Sequence, residues 1–175
     1  MTDPLAAPEP LERVRAFVNT ADLELGSERL ATPADLDALL RVTGSTAGDL
    51  ARALEFREAL RALLVANATG EPPPRAAVET VAGIGPLRAE MRGDLAAPGG
   101  IGAMSLAGDG LAGLLAIVVT AQADGTWARL KACPGERCQW ALYDHTRSRT
   151  RRWCAGAKCG ARTRSRAYRA RRASS

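Results

Sequence analysis

The stretch CPGERCQWALYDHTRSRTRRWCAGAKCG, residues 133–160, contains all four cysteines of this 175-residue chain. Four residues separate Cys133 from Cys138, four separate Cys154 from Cys159, and fifteen lie between the two pairs. Tetrahedral zinc needs four soft donors that converge on one point, and two close cysteine pairs joined by a loop of hairpin length meet that need. The stretch therefore predicts one structural zinc ion per chain, and the zinc site in turn predicts the fold of the C-terminal part.

Disulfide bonds and four unrelated buried thiols are the alternatives to a metal site. The paired spacing favours a metal, and so does the reducing compartment that we expect for this chain. His145, the only histidine, could replace one cysteine, but it breaks the symmetry of the two pairs, so we expect it in a turn. Four protein ligands leave no open position for water, so a site of this kind performs no hydrolysis.

The net charge of +5 conceals two parts of opposite sign. Residues 1–127 contain ten arginines, no lysine and 17 acidic residues, which gives a net charge of −7. Residues 128–175 contain 14 basic residues against Glu136 and Asp144, which gives +12. A basic segment of this density predicts a polyanion as partner, and a solvated arginine surface is the alternative.

Arginine dominates the basic part of the chain, and its planar guanidinium suits phosphate groups and guanine edges. Residues 160–172 are predicted to form a basic helix that could follow a groove of double-stranded DNA, our expected partner. The candidates for nucleic-acid contacts are the arginines before and after the second cysteine pair: Arg147, Arg149, Arg151, Arg152, Arg162, Arg164, Arg166, Arg169 and Arg172.

Two capping boxes mark the starts of helices in the chain before the cysteines. TPAD (32–35) and TAGD (46–49) each place a threonine three residues before an aspartate, the pattern of a helix N-terminus. We expect these helices to end near Gly44 and Gly70, because glycine readily adopts the left-handed conformation that closes a helix.

Helical spacing or a long apolar run predicts three further helices, over residues 11–18, 75–81 and 111–123. Residues 87–91 and 101–108 are predicted to form the two strands of a modest hairpin.

Within the C-terminal part, residues 139–144 and 151–154 are predicted to be two strands around a polar turn. The overall prediction is an α+β protein with three segments. A flexible lead-in (1–10) precedes a mostly helical domain with a small β-hairpin or sheet (11–127). A four-cysteine zinc finger, made of a knuckle, a β-hairpin and a basic helix, follows (128–175).

The sequence offers little for catalysis or for membrane insertion. Residues 1–127 contain no histidine and no cysteine, and their glycine-rich stretches lack the Lys and Ser or Thr of a phosphate loop. The longest apolar run, residues 111–123, is shorter than the ~20 residues that span a bilayer. No secretory signal is visible. We expect a cytoplasmic protein without enzymatic activity or a membrane segment, associated with the nucleoid if it binds DNA.

Residues 133–172 resemble the CGNR zinc finger in their cysteine spacing, in the run RRWC and in the basic residues that follow. The matching positions are Cys133, Cys138, Tyr143, Asp144, Arg147, Arg151, Arg152, Trp153, Cys154, Cys159, Gly160 and Arg162. In that family the finger usually follows an ABATE domain, a module of stress-responsive transcription regulators, and FVNTADLELG (17–26) resembles the opening of that domain.

The resemblance implies a DNA-binding transcription regulator with an N-terminal domain for sensing or dimerisation. An RNA-binding or ribosome-associated factor and a zinc-stabilised protein-interaction module remain alternatives. The sequence also leaves open a small-molecule effector and a homodimer. Asn19 and Thr20 are candidate ligand residues for such an effector, with capping or bridging of a helix terminus as the alternative.

The sequence departs from the CGNR pattern at positions that are not predicted zinc ligands. Ala161 stands where the family has its name-giving asparagine, and Ser148 where the family has an asparagine in the turn. Ala155 and Gly156 replace a Ser-Met step. Because an asparagine side chain can hydrogen-bond a base edge, these changes bear on sequence readout and not on the metal site.

Overall fold

The computed structural model describes residues 3–92 and 103–162, together with residues 165, 168, 169 and 172. The helices of this part of the chain are α1 (Leu11–Val18), α2 (Pro33–Leu40), α3 (Ala47–Thr69), α4 (Arg75–Ala82) and α5 (Gly110–Ala123). The strands are β1 (Ala21–Asp22), β2 (Ser27–Glu28), β3 (Arg88–Arg92), β4 (Ala103–Ala107), β5 (Leu130–Ala132) and β6 (Ala141–Tyr143), paired antiparallel in three two-stranded sheets. The predicted α+β class is confirmed.

Both capping boxes form as predicted. The Thr46 hydroxyl accepts the N–H of Asp49, and the Asp49 carboxylate accepts the N–H of Thr46 at 2.8 Å. The box of α2 has the same two hydrogen bonds. Helix α3 ends at the predicted residue, because Gly70 has φ +80° and donates its N–H to the last turn.

Helix α2 ends earlier than predicted. Its C-cap is Arg41, with φ +58°, and not Gly44. The Asp37 carboxylate accepts the N–H groups of Gly44 at 2.9 Å and of Ser45 at 3.1 Å, so the glycine belongs to a loop that folds back over the helix end. A side-chain acceptor inside the helix therefore decides where the connection to α3 turns.

Strands β3 and β4 form the predicted hairpin, with a register that runs from Arg88 opposite Ala107 to Arg92 opposite Ala103. The hairpin of the cysteine-rich part differs from its prediction. Residues 139–144 contain β6, but its partner is β5, which precedes the first cysteine pair, and residues 151–154 are not a strand. Side chains occupy the backbone groups around residues 149–151 that a strand ladder would need, as described below.

The large hydrophobic core is built around α3, which packs against α1, α2, α4 and β5. Phe56, Leu60 and Leu64 of this helix are fully buried, and the Phe56 ring lies 5.8 Å from that of Phe17 on α1. Helix α5, apolar around most of its circumference, closes the core on the side of α1. None of the described helices combines the length and the apolarity that crossing a bilayer requires.

A second, smaller core surrounds the cysteines, and β6 lies between the two. Ala141 and Tyr143 belong to the large core, whereas Leu142 packs with the cysteines, Trp140 and Trp153. Successive side chains of a strand point to opposite faces, so this one strand supplies apolar side chains to both cores.

Polar side chains fasten the large core to β6. Asn19, the residue after α1, is buried; its amide nitrogen donates to the Ala141 carbonyl at 2.9 Å and its amide oxygen accepts the Ala141 N–H at 2.8 Å. Arg61 of α3 is also buried and donates to the carbonyls of Val18 at 2.7 Å and Gln139 at 3.0 Å. These contacts fix the C-terminal end of α1 against the strand.

The segment before α1, predicted to be a flexible lead-in, lies against the other side of the cysteine-rich part. The Leu5 carbonyl accepts the N–H of Tyr143 at 2.9 Å, and the Leu5 side chain packs on the cysteine core. His145 contacts the Ala6 carbonyl through Nε2 at 2.7 Å.

We predict that Asn19→Ala lowers the free energy of unfolding by about 2–4 kcal/mol, because it leaves the buried N–H and C=O of Ala141 without partners. Chemical denaturation of the full chain measures the change. Arg75→Ala, at an exposed position on α4, is the control and should change the stability little. An Asn19→Ala protein as stable as the control would show that the contact to β6 is not needed.

Candidate metal centre and basic surface

The four cysteines converge as their spacing predicts. Their Sγ atoms all lie within 4.8 Å of one another, with 3.4 Å between Cys138 and Cys154 and 3.5 Å between Cys154 and Cys159. Four sulfurs held ~2.3 Å from one tetrahedral ion would be ~3.8 Å apart, so the cluster has the size of a metal site. None of the four cysteines forms a disulfide bond, because these distances are far longer than the ~2.05 Å of an S–S bond.

The local backbone explains how each pair is positioned. Cys133 directly follows β5 and extends its pairing, since its N–H donates to the Trp140 carbonyl at 3.0 Å. The chain then turns through Gly135, whose carbonyl accepts the N–H of Cys138 at 2.8 Å. Cys159 lies in a turn of π-helix, Gly156–Gly160, which brings its sulfur back toward Cys154.

The pKa values of the thiols show why this cluster suits a cation. Hydrogen bonds from the thiols of Cys138 and Cys154 lower the pKa of Cys133 far below its usual range. The same contacts raise the pKa values of Cys138 and Cys154, because a second thiolate would face the first at short range. Four thiolates therefore need a positive ion among them, and sulfur donors are the ligands that zinc prefers in closed sites.

His145 lies outside the cluster, in the loop that follows β6 and just before the turn at residues 147–148. Its ring is exposed and packs edge-on against Tyr143, with 4.8 Å between the ring centroids. Trp140 and Trp153 are half-buried and cover the cysteines.

A buried ion pair lies beside the cluster and organises the arginine-rich loop, residues 145–152. Lys131, between two core residues of β5, donates through Nζ to the Asp144 carboxylate at 2.8 Å and to the carbonyls of Arg149 at 2.6 Å and Arg151 at 3.0 Å. The same carboxylate accepts the N–H groups of Thr146 and Arg151, both at 2.9 Å. The loop is therefore tied at both ends to one charged pair that is almost inaccessible to solvent.

The pKa of Asp144 reflects these contacts. Burial acts to raise it, but the hydrogen bonds from Lys131 and Thr146 outweigh burial and lower the pKa to about 2. The carboxylate has a lower pKa folded than unfolded, so its contribution to stability is complete above about pH 4 and is lost as the pH falls toward 2.

The sequence did not reveal this arrangement. In the sequence Lys131 contributes only to the count of 14 basic residues in 128–175, although its position between Leu130 and Ala132 in an alternating strand is a signal of its interior position. Arg129 was also overlooked. Its Nη1 donates to the carbonyls of Asp144 and Thr146, both at 2.9 Å, and adds a second clamp on the loop.

The loop arginines fall into two groups. Arg147, Arg149 and Arg152 are exposed. Arg151 is half-buried, and its guanidinium donates to the carbonyls of Trp153 and Cys154, both at 3.3 Å, so its side chain faces the finger itself.

After the last cysteine the described residues have helical backbone, in agreement with the predicted basic helix. Arg162, Arg169 and Arg172 are exposed on it, and Arg172 stacks on the Tyr168 ring. Arg164 and Arg166, two further candidates, lie outside the described residues.

An acidic residue of the N-terminal part contacts this basic segment. Glu24, in the turn between β1 and β2, accepts from Lys158 Nζ at 2.9 Å and from Arg162 Nη1 at 2.8 Å. These hydrogen bonds lower the pKa of Glu24 and raise those of Lys158 and Arg162. The contact is exposed, so a polyanion could compete for both cations.

Asn19 and Thr20, the candidate ligand residues, are buried and bonded within the chain. Asn19 bridges to Ala141, and the Thr20 hydroxyl donates to the Phe17 carbonyl at 2.8 Å and accepts from Arg57 at 3.0 Å. Both bridge the end of α1 to its neighbours.

Comparison with protein families accounts for most of the chain. The ABATE family model, described as "Putative stress-induced transcription regulator", matches residues 12–142. The CGNR zinc finger model matches residues 129–172. The two matches overlap over residues 129–142, which hold β5, the first cysteine pair and most of β6. A search of curated proteins found no match to the chain.

We predict that Lys131→Met destabilises the protein by about 3–5 kcal/mol, because it leaves the buried Asp144 carboxylate without its cation. Chemical denaturation of the metal-loaded protein measures the loss. Lys158→Met makes the same chemical change at an exposed position and should have little effect. Equal stability of the two variants would contradict a structural role for the pair.

Proposed function

Because the chain belongs to the ABATE family and ends in a CGNR zinc finger, we propose that it is a DNA-binding transcription regulator with one structural zinc ion. It would act in the cytoplasm, at the nucleoid. The observation that carries the proposal is the arginine loop, which a buried ion pair holds beside a four-cysteine cluster.

Zinc is the proposed metal because four cysteine thiolates form a closed, soft donor set. Cys133, Cys138, Cys154 and Cys159 would all bind it and leave no position for water or substrate. The ion would supply a core to a segment that has few large apolar residues, and it would neutralise part of the thiolate charge.

DNA is the proposed partner because the exposed cations of the finger stand on a fixed frame. The backbone of Arg149 and Arg151 is bonded to Lys131, so Arg147, Arg149 and Arg152 project from a loop of defined shape. Pre-organised guanidinium groups lose less conformational freedom when they bind phosphate than those of a disordered tail. The helical segment after Cys159 adds further exposed arginines.

The N-terminal domain would regulate the finger through their shared contacts. Glu24 holds Lys158 and Arg162, two cations that would otherwise face phosphate groups. The core of this domain includes side chains of β5 and β6, the strands that flank the first cysteine pair. A ligand or a dimer contact on the domain would therefore act on the finger through packed residues.

We predict one zinc ion per purified chain and loss of the folded finger when a strong chelator removes it, because the metal replaces an extensive apolar core. Elemental analysis measures the ion, and near-ultraviolet circular dichroism follows Trp140 and Trp153, which pack on the cysteines. Cys159→Ser should lose the metal, whereas Ser148→Ala should keep it. Retention of the aromatic signal after complete metal removal would argue against a structural ion.

We predict that the zinc-loaded protein binds duplex DNA with an affinity that falls with salt, at a log–log slope near −5 if it neutralises ~6 phosphates. The double variant Arg147→Gln/Arg152→Gln should weaken binding by about tenfold and reduce the slope by ~2. Fluorescence anisotropy with a labelled duplex between 50 and 200 mM salt measures the affinity and its salt dependence. Enrichment from a random duplex pool tests for sequence specificity.

The matched control is Arg75→Gln/Arg88→Gln, which removes the same charge from exposed positions of the N-terminal domain and should leave the slope unchanged. Glu24→Gln should strengthen binding about twofold, since exposed ion pairs are weak. Enrichment of a sequence motif would support a sequence-specific regulator. Preference for structured RNA would overturn DNA as the partner, and so would weak binding that the Arg147→Gln/Arg152→Gln variant does not change.

A further inference from the structure

A cavity of about 440 Å³ opens between α1, the end of α2 and α5. None of the residues that line it belongs to the cysteine-rich part of the chain. Its volume is in the range of small-molecule sites in proteins. Phe17, Leu40 and Leu114, all buried core residues, line its apolar part. Arg13 and Arg41 line its polar part, together with Glu9.

The charged groups that line this cavity are exposed and unpaired. Among the described residues, neither the Arg13 nor the Arg41 guanidinium has a hydrogen-bond or ion-pair partner, and the Glu9 carboxylate has none either. Other arginines of the same domain are bound to acids: Arg15 to Glu12 at 2.7 Å and Arg57 to Glu28 at 2.7 Å. Two guanidinium groups are thus free to bind an anion at the edge of an apolar cavity.

The backbone of Arg41 adds an independent observation. Its φ of +58° and ψ of +44° place it in the left-handed region, where a helix C-cap is ordinarily glycine or asparagine. A residue with a Cβ atom is strained in that conformation, because the Cβ approaches a backbone carbonyl oxygen. Strain of this kind is concentrated at binding sites. A cation near the end of α2 would interact well with the helix dipole from any position in the last turn, so the dipole does not require an arginine at the cap.

We propose that this cavity binds a small organic acid with an apolar body. The carboxylate would lie between the Arg13 and Arg41 guanidinium groups, which suit planar oxyanions, and the body would rest on Phe17, Leu40 and Leu114. The ligand is either a simple monocarboxylate or an apolar α-amino acid, whose ammonium group would pair with Glu9. The carboxylate and the apolar body are common to both.

The position of the cavity suits an effector site. Phe17 lies two residues before Asn19, which is bonded to Ala141 on β6, so a ligand against α1 would press on the contact that joins the domain to the finger. Ligand binding itself requires no assumption about nucleic acid and is measured on the protein alone.

The test is isothermal titration of the full-length, zinc-loaded protein with 3-phenylpropanoate and, separately, with L-phenylalanine. One saturable site with a Kd below ~1 mM is expected for at least one of the two. Tighter binding of L-phenylalanine that Glu9→Gln abolishes would identify an amino acid, and equal or tighter binding of 3-phenylpropanoate would identify a simple acid. The absence of saturable binding for both compounds would overturn the proposal.

Variants separate a binding role from a structural one. Arg13→Gln and Arg41→Gln should each weaken binding about tenfold, whereas Arg75→Gln, on the exposed face of α4, should not change it. Arg41→Gly should weaken binding while the Tm stays equal or rises, because glycine relieves the left-handed strain. Wild-type affinity in both Arg13→Gln and Arg41→Gln would show that these arginines do not bind the ligand. A lower Tm for Arg41→Gly would show that Arg41 has a structural role instead.

Discussion

The alternation of side chains along β5 and β6 is the constraint on which the rest of the structure depends. Each strand has three residues, and each faces two environments. Leu130, Ala132, Ala141 and Tyr143 enter the core around α3, whereas Lys131 and Leu142 face the cysteine-rich side. A shift of register by one residue would exchange these sets and bury the wrong side chains on both sides at once.

The cysteine-rich side holds its shape with few apolar residues because charge and metal ligands replace them. Lys131 and Asp144 are buried together, and besides their mutual contact they hydrogen-bond backbone groups of the loop and the Thr146 hydroxyl. Several charge-assisted contacts therefore offset the cost of burying the two charges. The four sulfurs form the other fixed point. Between them the chain displays arginines whose own backbone cannot rearrange freely.

The two family matches overlap on the same hairpin, and the structure gives the physical reason. β5 and β6 complete the large core and also carry the first cysteine pair on their connection. Asn19 and Arg61 reach the hairpin from α1 and α3, and Leu5 pairs with its far side. A change in the packing of α1 would therefore alter the finger through direct hydrogen bonds.

Sequence alone determined the features that depend on local spacing and on residue chemistry: the four-cysteine site, both capping boxes, the hairpin of β3 and β4, and the family. It placed the end of α2 at Gly44 and a strand at residues 151–154. Both were wrong because the side-chain carboxylates of Asp37 and Asp144 accept the N–H groups of Gly44 and Arg151. Only the tertiary structure decided that Lys131, Arg61 and Asn19 are interior residues. A polar side chain is buried when partners far along the chain satisfy its hydrogen bonds. Local residue spacing does not identify those partners.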